Sequence, residues 1–187
     1  MKEVEILVEA FSPRDEILKK LKIFKFVGSK DVLDIYFFDP LRTSLKPDVT
    51  GRLSNCFRLR QKGGKNYLAY KKDNFDISGN WIYSDEDELE VSDLRIMENI
   101  IEHLGLEVLV TIQNLKHTFE TSDYEIVLEE VENLGLFLEV ERKNIADQDD
   151  VEEIKKDIWG FIKSLDIEVS NELNLGKPEL MLRKKTL

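Results

Sequence analysis

Cys56-Phe57-Arg58-Leu59-Arg60-Gln61-Lys62-Gly63-Gly64-Lys65-Asn66-Tyr67-Leu68-Ala69-Tyr70-Lys71-Lys72 is the stretch that decides the fold. Successive side chains of a β-strand point to opposite faces, so residues two apart share a face. Arg58, Arg60 and Lys62 therefore project together, and Phe57 and Leu59 project the other way. Gly63-Gly64 between two such runs marks a tight hairpin, because the central residues of its turn need positive φ and glycine adopts it without steric cost. Two antiparallel strands are predicted, Cys56 to Lys62 and Asn66 to Lys72, the first with three cations on one face.

Towards the N-terminus, Val32 to Phe38 reads as a strand, and the polar stretch from Pro40 to Leu53, with Pro47 and Gly51, reads as a mobile loop. Met1 to Ala10 is a further strand, with Val4, Ile6 and Val8 on one face and Glu3, Glu5 and Leu7 on the other. Ser12 and Pro13 then open a helix as N-cap and first-turn proline, and Ile17, Leu18 and Leu21 form its apolar stripe.

Towards the C-terminus, Asp85 to Val91 reads as a strand, followed by a helix capped by Ser92 that carries Leu94, Met97, Ile100, Ile101 and Leu104 and ends at Gly105. Strands follow at Glu107 to Thr118, Glu125 to Val131 and Leu136 to Arg142, the last two joined through Asn133 to Gly135. A helix from Asp150 to Leu165 places Ile154, Ile158, Phe161, Ile162 and Leu165 on one stripe, and the tail around Pro178 reads as a short last strand. Seven or eight strands with three helices and no βαβ alternation predict an α+β fold. The expected architecture is a closed or nearly closed antiparallel β-barrel of about eight strands with flanking helices, one domain spanning residues 1–187.

Three further strand faces carry a single sign of charge: Glu3 with Glu5, Glu88 with Glu90, and Glu139 with Glu141. Like charges side by side on a sheet repel unless water, opposite charge or a ligand compensates them. Each pair alone is an ordinary wet face, since 38 acidic residues make a Glu-x-Glu triplet common by chance. The opposite faces, however, are apolar, as in Val4, Ile6 and Val8 or Leu136, Leu138 and Val140. If those faces pack under the helices, the charged faces turn inward and line a hydrated tunnel in which carboxylates and cations converge.

Composition narrows the function. A net charge of −11 argues against a nucleic-acid polymer as partner, because phosphate contacts with release of counterions need a basic surface. A local basic site within an acidic protein favours a small anion instead. The 187 residues contain no apolar run of membrane-spanning length, and Met1-Lys2-Glu3 opens no secretion signal, so a cytoplasmic protein without a membrane partner is expected, monomeric or homodimeric. Cys56 stands alone, which excludes an intrachain disulfide, and no Cys/His spacing suggests zinc. His103 and His117 read as structural or exposed, Gly63-Gly64 lacks the rest of a phosphate-loop motif, and no Gly-x-Ser-x-Gly is present.

Taken in order, several motifs resemble the CYTH superfamily, the triphosphate tunnel metalloenzymes: Glu3-Val4-Glu5, Asp34-Ile35-Tyr36-Phe37, Phe57 to Lys62, and Tyr70-Lys71-Lys72. The resemblance continues through Glu88-Leu89-Glu90, the helix ending in Leu104-Gly105, and Leu134 to Glu141. That superfamily includes class IV adenylyl cyclases, thiamine triphosphatases and inorganic tripolyphosphatases. The resemblance implies that Glu3, Glu5, Glu139 and Glu141 are catalytic carboxylates and that, with Glu88, Glu90 and Glu129, they form the metal side. It implies a triphosphate clamp of Arg58 and Arg60, with Lys62, Lys71 and Lys116 in support. Mg²⁺ or Mn²⁺ is the implied cofactor, and a small-molecule triphosphate such as ATP or tripolyphosphate the implied substrate. The reaction is either cyclisation of ATP to cyclic AMP and pyrophosphate or hydrolysis of a triphosphate.

Three positions depart from the pattern. Leu7 stands where the superfamily's Glu-x-Glu-x-Lys run has lysine, and Asn114 with Lys116 stands where it commonly has a lysine and an arginine two apart. The Ser-Tyr approach to the last strand is not evident near Asn174 to Leu180. Lys2, Lys65 and Lys72 are other cations, but strand alternation places none of them at the vacancies. An alternative expectation follows: a catalytically impaired phosphate- or nucleotide-binding module, with a purely partner-binding protein as a third.

Overall fold

The computed structural model describes residues 2–185; Met1, the start of the first predicted strand, and Thr186 and Leu187 lie outside them. The chain runs β1 (Lys2–Glu3), β2 (Glu5–Glu9), α1 (Arg14–Leu21), β3 (Lys25–Phe38), β4 (Asn55–Lys62), β5 (Lys65–Phe75) and β6 (Trp81–Val91). It continues through α2 (Leu94–His103), β7 (Glu107–Glu120), β8 (Tyr124–Val131), β9 (Gly135–Arg142), α3 (Val151–Ser164) and α4 (Lys177–Lys185). All strands join one antiparallel sheet in the order β1-β6-β5-β4-β3-β7-β8-β9-β2.

The two ends of that order are consecutive in sequence. β1 pairs with β6, Glu3 opposite Ser84, while β2 pairs with β9, Glu5 opposite Glu141. The N-terminal run thus spans the gap between the sheet's two edges, parting only at Val4, and the result is a nearly closed barrel. Closure removes free edges that would otherwise template aggregation. At the β4–β5 hairpin, Gly63 and Gly64 take φ of 61° and 79°, as the turn demands. The resulting register sets Arg58 opposite Ala69 and Arg60 opposite Tyr67.

The largest hydrophobic core lies outside the barrel wall. Val4, Ile6 and Val8 pack with Ile126, Leu128, Leu138 and Val140 beneath Ile158 and Ile162 of α3 and Ile17 and Leu21 of α1. A smaller cluster seats Ile101 of α2 on Ile35, Phe37, Leu59 and Val91. A third cluster joins Leu7, Tyr36, Val110, Ile112, Val131 and Phe137 to Met181 of α4. Since the outer faces are committed to the helices, the alternate residues of each strand face inward, where the charges reside.

Several boundaries differ from expectation for local reasons. β3 begins at Lys25 rather than Val32, because its first half has exposed side chains and is held by backbone pairing to β7, which leaves no apolar alternation to read. Pro13, not Ser12, occupies the N-cap of α1, and the Ser12 hydroxyl accepts from Glu168 N at 3.0 Å instead. Asp93, not Ser92, caps α2 by accepting from Ile96 N at 2.9 Å. The 40–53 stretch holds a 3₁₀ turn at Thr43–Leu45 and is pinned by buried Leu45 and Leu53.

The tail is a helix rather than a strand, since a proline in the first helical turn forfeits no hydrogen bond and Met181 supplies an apolar anchor. Among the described residues no helix is long and apolar enough to cross a membrane.

Ile158→Ala is expected to lower the unfolding free energy by about 2–5 kcal/mol, through a cavity where α3 meets the barrel. Urea denaturation followed by circular dichroism would show a lower midpoint at an unchanged slope.

Candidate active site

The barrel encloses a cavity of about 650 Å³. One wall is cationic. In the β3–β4 register Asp34 lies opposite Arg60 and Tyr36 opposite Arg58. Arg60 donates to both Asp34 oxygens, Nε to Oδ1 at 2.7 Å and Nη2 to Oδ2 at 2.9 Å. Arg58 Nη2 donates to Glu86 Oε1 at 3.0 Å, while its buried Nε has no hydrogen-bond partner among the described residues. Burial opposes ionisation of Asp34, but the guanidiniums of Arg60 and Arg58 outweigh it and hold the carboxyl well below its usual range. Lys62 shows the reverse imbalance: burial, and then repulsion from Lys116 and Arg60, push its ammonium below the ordinary lysine value. Two fixed forks beside an under-neutralised lysine make a site for an anion.

The facing wall is acidic, because the β2–β9 register puts Glu5 opposite Glu141 and Leu7 opposite Glu139. Lys71 reaches across from β5, donating to Glu3 Oε2 at 3.1 Å and Glu5 Oε1 at 2.9 Å. One ammonium does not neutralise this group. Burial lifts Glu3 to about 7, with Lys71 pulling it down and Glu86 and Glu5 pushing it up. Burial and then Glu5, Glu3 and Glu139 lift Glu141 to about 8. Glu139 behaves oppositely: burial is outweighed by Lys177 and Lys116, and it stays ionised well below the usual range. Glu129, fully buried, accepts from Lys116 at 2.7 Å and from Asn114 Nδ2 at 3.0 Å.

The strands that bring arginine forks to face paired glutamates lie within residues 1–174, the span matched by the CYTH domain family model. The chain belongs to the CYTH family. A Methanocaldococcus jannaschii protein provisionally named as an adenylate cyclase is 29% identical over 182 residues, covering 96% of this chain and 98% of its own. The PH1819 protein of Pyrococcus horikoshii has the same fold, with a TM-score of 0.78 at 24% identity over 96% of this chain and 99% of its own. HpAC1 of Hippeastrum, provisionally an adenylyl cyclase and described as having a dominant triphosphatase activity, aligns with a TM-score of 0.64 at 18% identity, covering 99% and 97%.

Within this CYTH barrel, Glu3, Glu5, Arg58, Arg60, Lys62, Lys71, Lys116, Glu139 and Glu141 all line the one cavity. Glu88 and Glu90 do not enter it together: Glu88 lines it with a side chain 38% exposed, while Glu90 pairs with Lys65 at 2.7 Å on the surface. The inner carboxylate of β6 is Glu86, two residues before Glu88 on the same face, and extending the alternation backwards would have found it. Lys177 was hidden by the reading of the tail as a strand. From the first turn of α4 it donates to Glu129 Oε1 and Glu139 Oε2, each at 2.7 Å. Leu7 lies in the apolar cluster with Met181. His117 sits apart, bonded to Ser29 and Glu130.

The donor chemistry suits a hard divalent cation: oxygen-only ligands crowded enough to resist ionisation. Among the described residues no three carboxylate or imidazole groups form a ready-made shell, and Lys71 bridges Glu3 and Glu5. In charge and ligand type, Glu3, Glu5 and Glu141 fit Mg²⁺ or Mn²⁺.

A pH dependence follows. Carboxyls whose folded pKa lies above the ordinary 4.5 contribute stability that is complete below that value and lost as pH rises through about 7 for Glu3 and about 8 for Glu141. The melting temperature of metal-free protein should therefore fall over this window, and Glu141→Gln should flatten the fall. Scanning fluorimetry at stepped pH checks this, and Mn²⁺ should raise the alkaline limb of the wild type only.

Proposed function

We propose that this CYTH protein is a metal-dependent hydrolase of tripolyphosphate or of an organic triphosphate. One observation carries the reading: a single cavity has a cationic pole, where burial and then like charges disfavour the Lys62 ammonium, and an acidic pole, where burial and then like charges disfavour the Glu141 carboxylate. The first calls for an anion and the second for a cation, and a metal-bound triphosphate is both at once.

In this reading Arg58 and Arg60 grip non-bridging phosphate oxygens with planar forks, and Lys62 and Lys116 add point charges. Asp34 keeps Arg60 aligned before the substrate arrives, so little reorganisation accompanies binding. Glu3, Glu5 and Glu141 would hold the divalent ion, and Glu139 completes the acidic wall, while Glu129 is fully buried, does not line the cavity and pairs with Lys116 and Lys177. When bound, the ion supplies positive charge to the phosphate oxygens and polarises water. Water attacks the terminal phosphorus, the bond to the bridging oxygen breaks, and the arginines take up charge on the leaving diphosphate. The proton released by water passes to a carboxylate of the acidic wall. Positioning and electrostatics suffice for such a transfer, and no covalent intermediate is needed.

A second reading, cyclisation of a nucleoside triphosphate, is favoured by Phe75 and Trp81, which line the same cavity and offer rings to a base, and by the name of the Methanocaldococcus jannaschii relative.

Incubation with tripolyphosphate or ATP and Mn²⁺, followed by product identification, separates the two. Orthophosphate is the expected product; cyclic AMP with pyrophosphate would favour cyclisation. No product from either substrate, with binding retained in calorimetry, would leave a binding module. Arg58→Lys/Arg60→Lys keeps both charges but removes both forks, and should weaken tripolyphosphate binding roughly ten- to hundredfold. Unchanged affinity would contradict the clamp.

A further inference from the structure

Leu7, where the Glu-x-Glu-x-Lys pattern has its lysine, is 3% exposed and packs in one cluster with Phe137 and with Met181 of α4. Its carbonyl accepts from Leu173 N at 3.1 Å, so the chain leading into α4 is tied to the same residue. Across the β2–β9 ladder Leu7 lies directly opposite Glu139. A lysine at position 7 would be a cross-strand neighbour of that carboxylate. Here the ammonium comes from Lys177, at 2.7 Å from Glu139 Oε2 and 2.7 Å from Glu129 Oε1. The span matched to the family stops at residue 174, so Lys177 belongs to a segment beyond it.

An ammonium has three N–H donors. Two are used by Glu129 and Glu139, and Lys177 lines the cavity, which leaves one donor for a ligand. The approach to α4 is held from several sides: Trp81 N donates to Asn174 Oδ1 at 3.1 Å, Arg52 Nη2 to Asn174 O at 3.3 Å, and Lys155 to Glu172. The ammonium is therefore delivered at a defined place.

We propose that positions 7 and 177 are an exchanged pair: Leu7 is the apolar seat for α4, and α4 returns through Lys177 the phosphate-binding cation that β2 lacks. The proposal rests on the triphosphate reading above and extends it. Leu7 is then a positioning residue and Lys177 a binding residue, and the grip on the anion depends on α4 being docked.

The test is calorimetric titration of tripolyphosphate with excess Mg²⁺ into wild type, Lys177→Met, Lys177→Arg and the double variant Leu7→Lys/Lys177→Met, with circular dichroism on each. Lys177→Met should weaken binding roughly ten- to hundredfold, Lys177→Arg should lose much less, and the double variant should recover most of the loss. Recovery from position 7 discriminates, because a lysine there cannot replace contacts made by α4. Wild-type affinity in Lys177→Met overturns the proposal, as does a folded double variant that binds no better than Lys177→Met. If the double variant does not fold, the other arms decide: equal loss in the Arg and Met variants overturns the proposal, and loss in Met alone supports it. Absence of binding by the wild type would remove the triphosphate reading along with it.

Discussion

Mutual neutralisation of charges confined inside a closed sheet is the constraint on which the rest of this structure depends. A buried ion is costly unless it is paired, so each inward-facing glutamate or arginine needs a counter-charge at hydrogen-bonding distance. Asp34 serves Arg60, Glu86 serves Arg58, and Lys71 serves Glu3 and Glu5. The pairing is incomplete at Glu141 and Glu3 on one wall and at Lys62 on the other, all lining one cavity. Unequal neutralisation, rather than any single residue, gives the interior one cationic and one acidic pole.

The same constraint explains why the main core is on the outside. An interior full of charge cannot supply the apolar burial that holds a domain together, so α1, α2 and α3 clamp the outer wall instead. Where Leu7, Ile112 and Phe137 face inward the barrel has an apolar stretch, and there α4 covers it with Met181. The polar and apolar stretches of the interior are thus assigned to different tasks, ligand chemistry in one and helix docking in the other.

Much of this was legible in the chain. Alternation in Phe57 to Lys62 and in Leu136 to Glu141 told both which faces pack and which residues converge, because a strand's period is local and rigid. The glycine pair at 63 and 64 set the hairpin and therefore the register of the arginines. What escaped reading depends on partners far along the chain. Lys25 to Asp31 is a strand only because β7 lies beside it, Glu90 pairs with Lys65 on the surface, and Lys177 enters from a helix with a weak apolar stripe. No spacing rule in the sequence connects residue 177 to residues 129 and 139; only the closed barrel does.

The split first strand bears on how the molecule is made. Its pairing partners are Ser84 and Asp85 on one side and Phe137 to Glu141 on the other, so this strand finds its neighbours only across long stretches of intervening chain. Such long-range closure is entropically slow. Until it happens Ile6 and Val8 have no wall to lie on, and the folding chain carries an unpartnered apolar strand that a second sheet edge could capture.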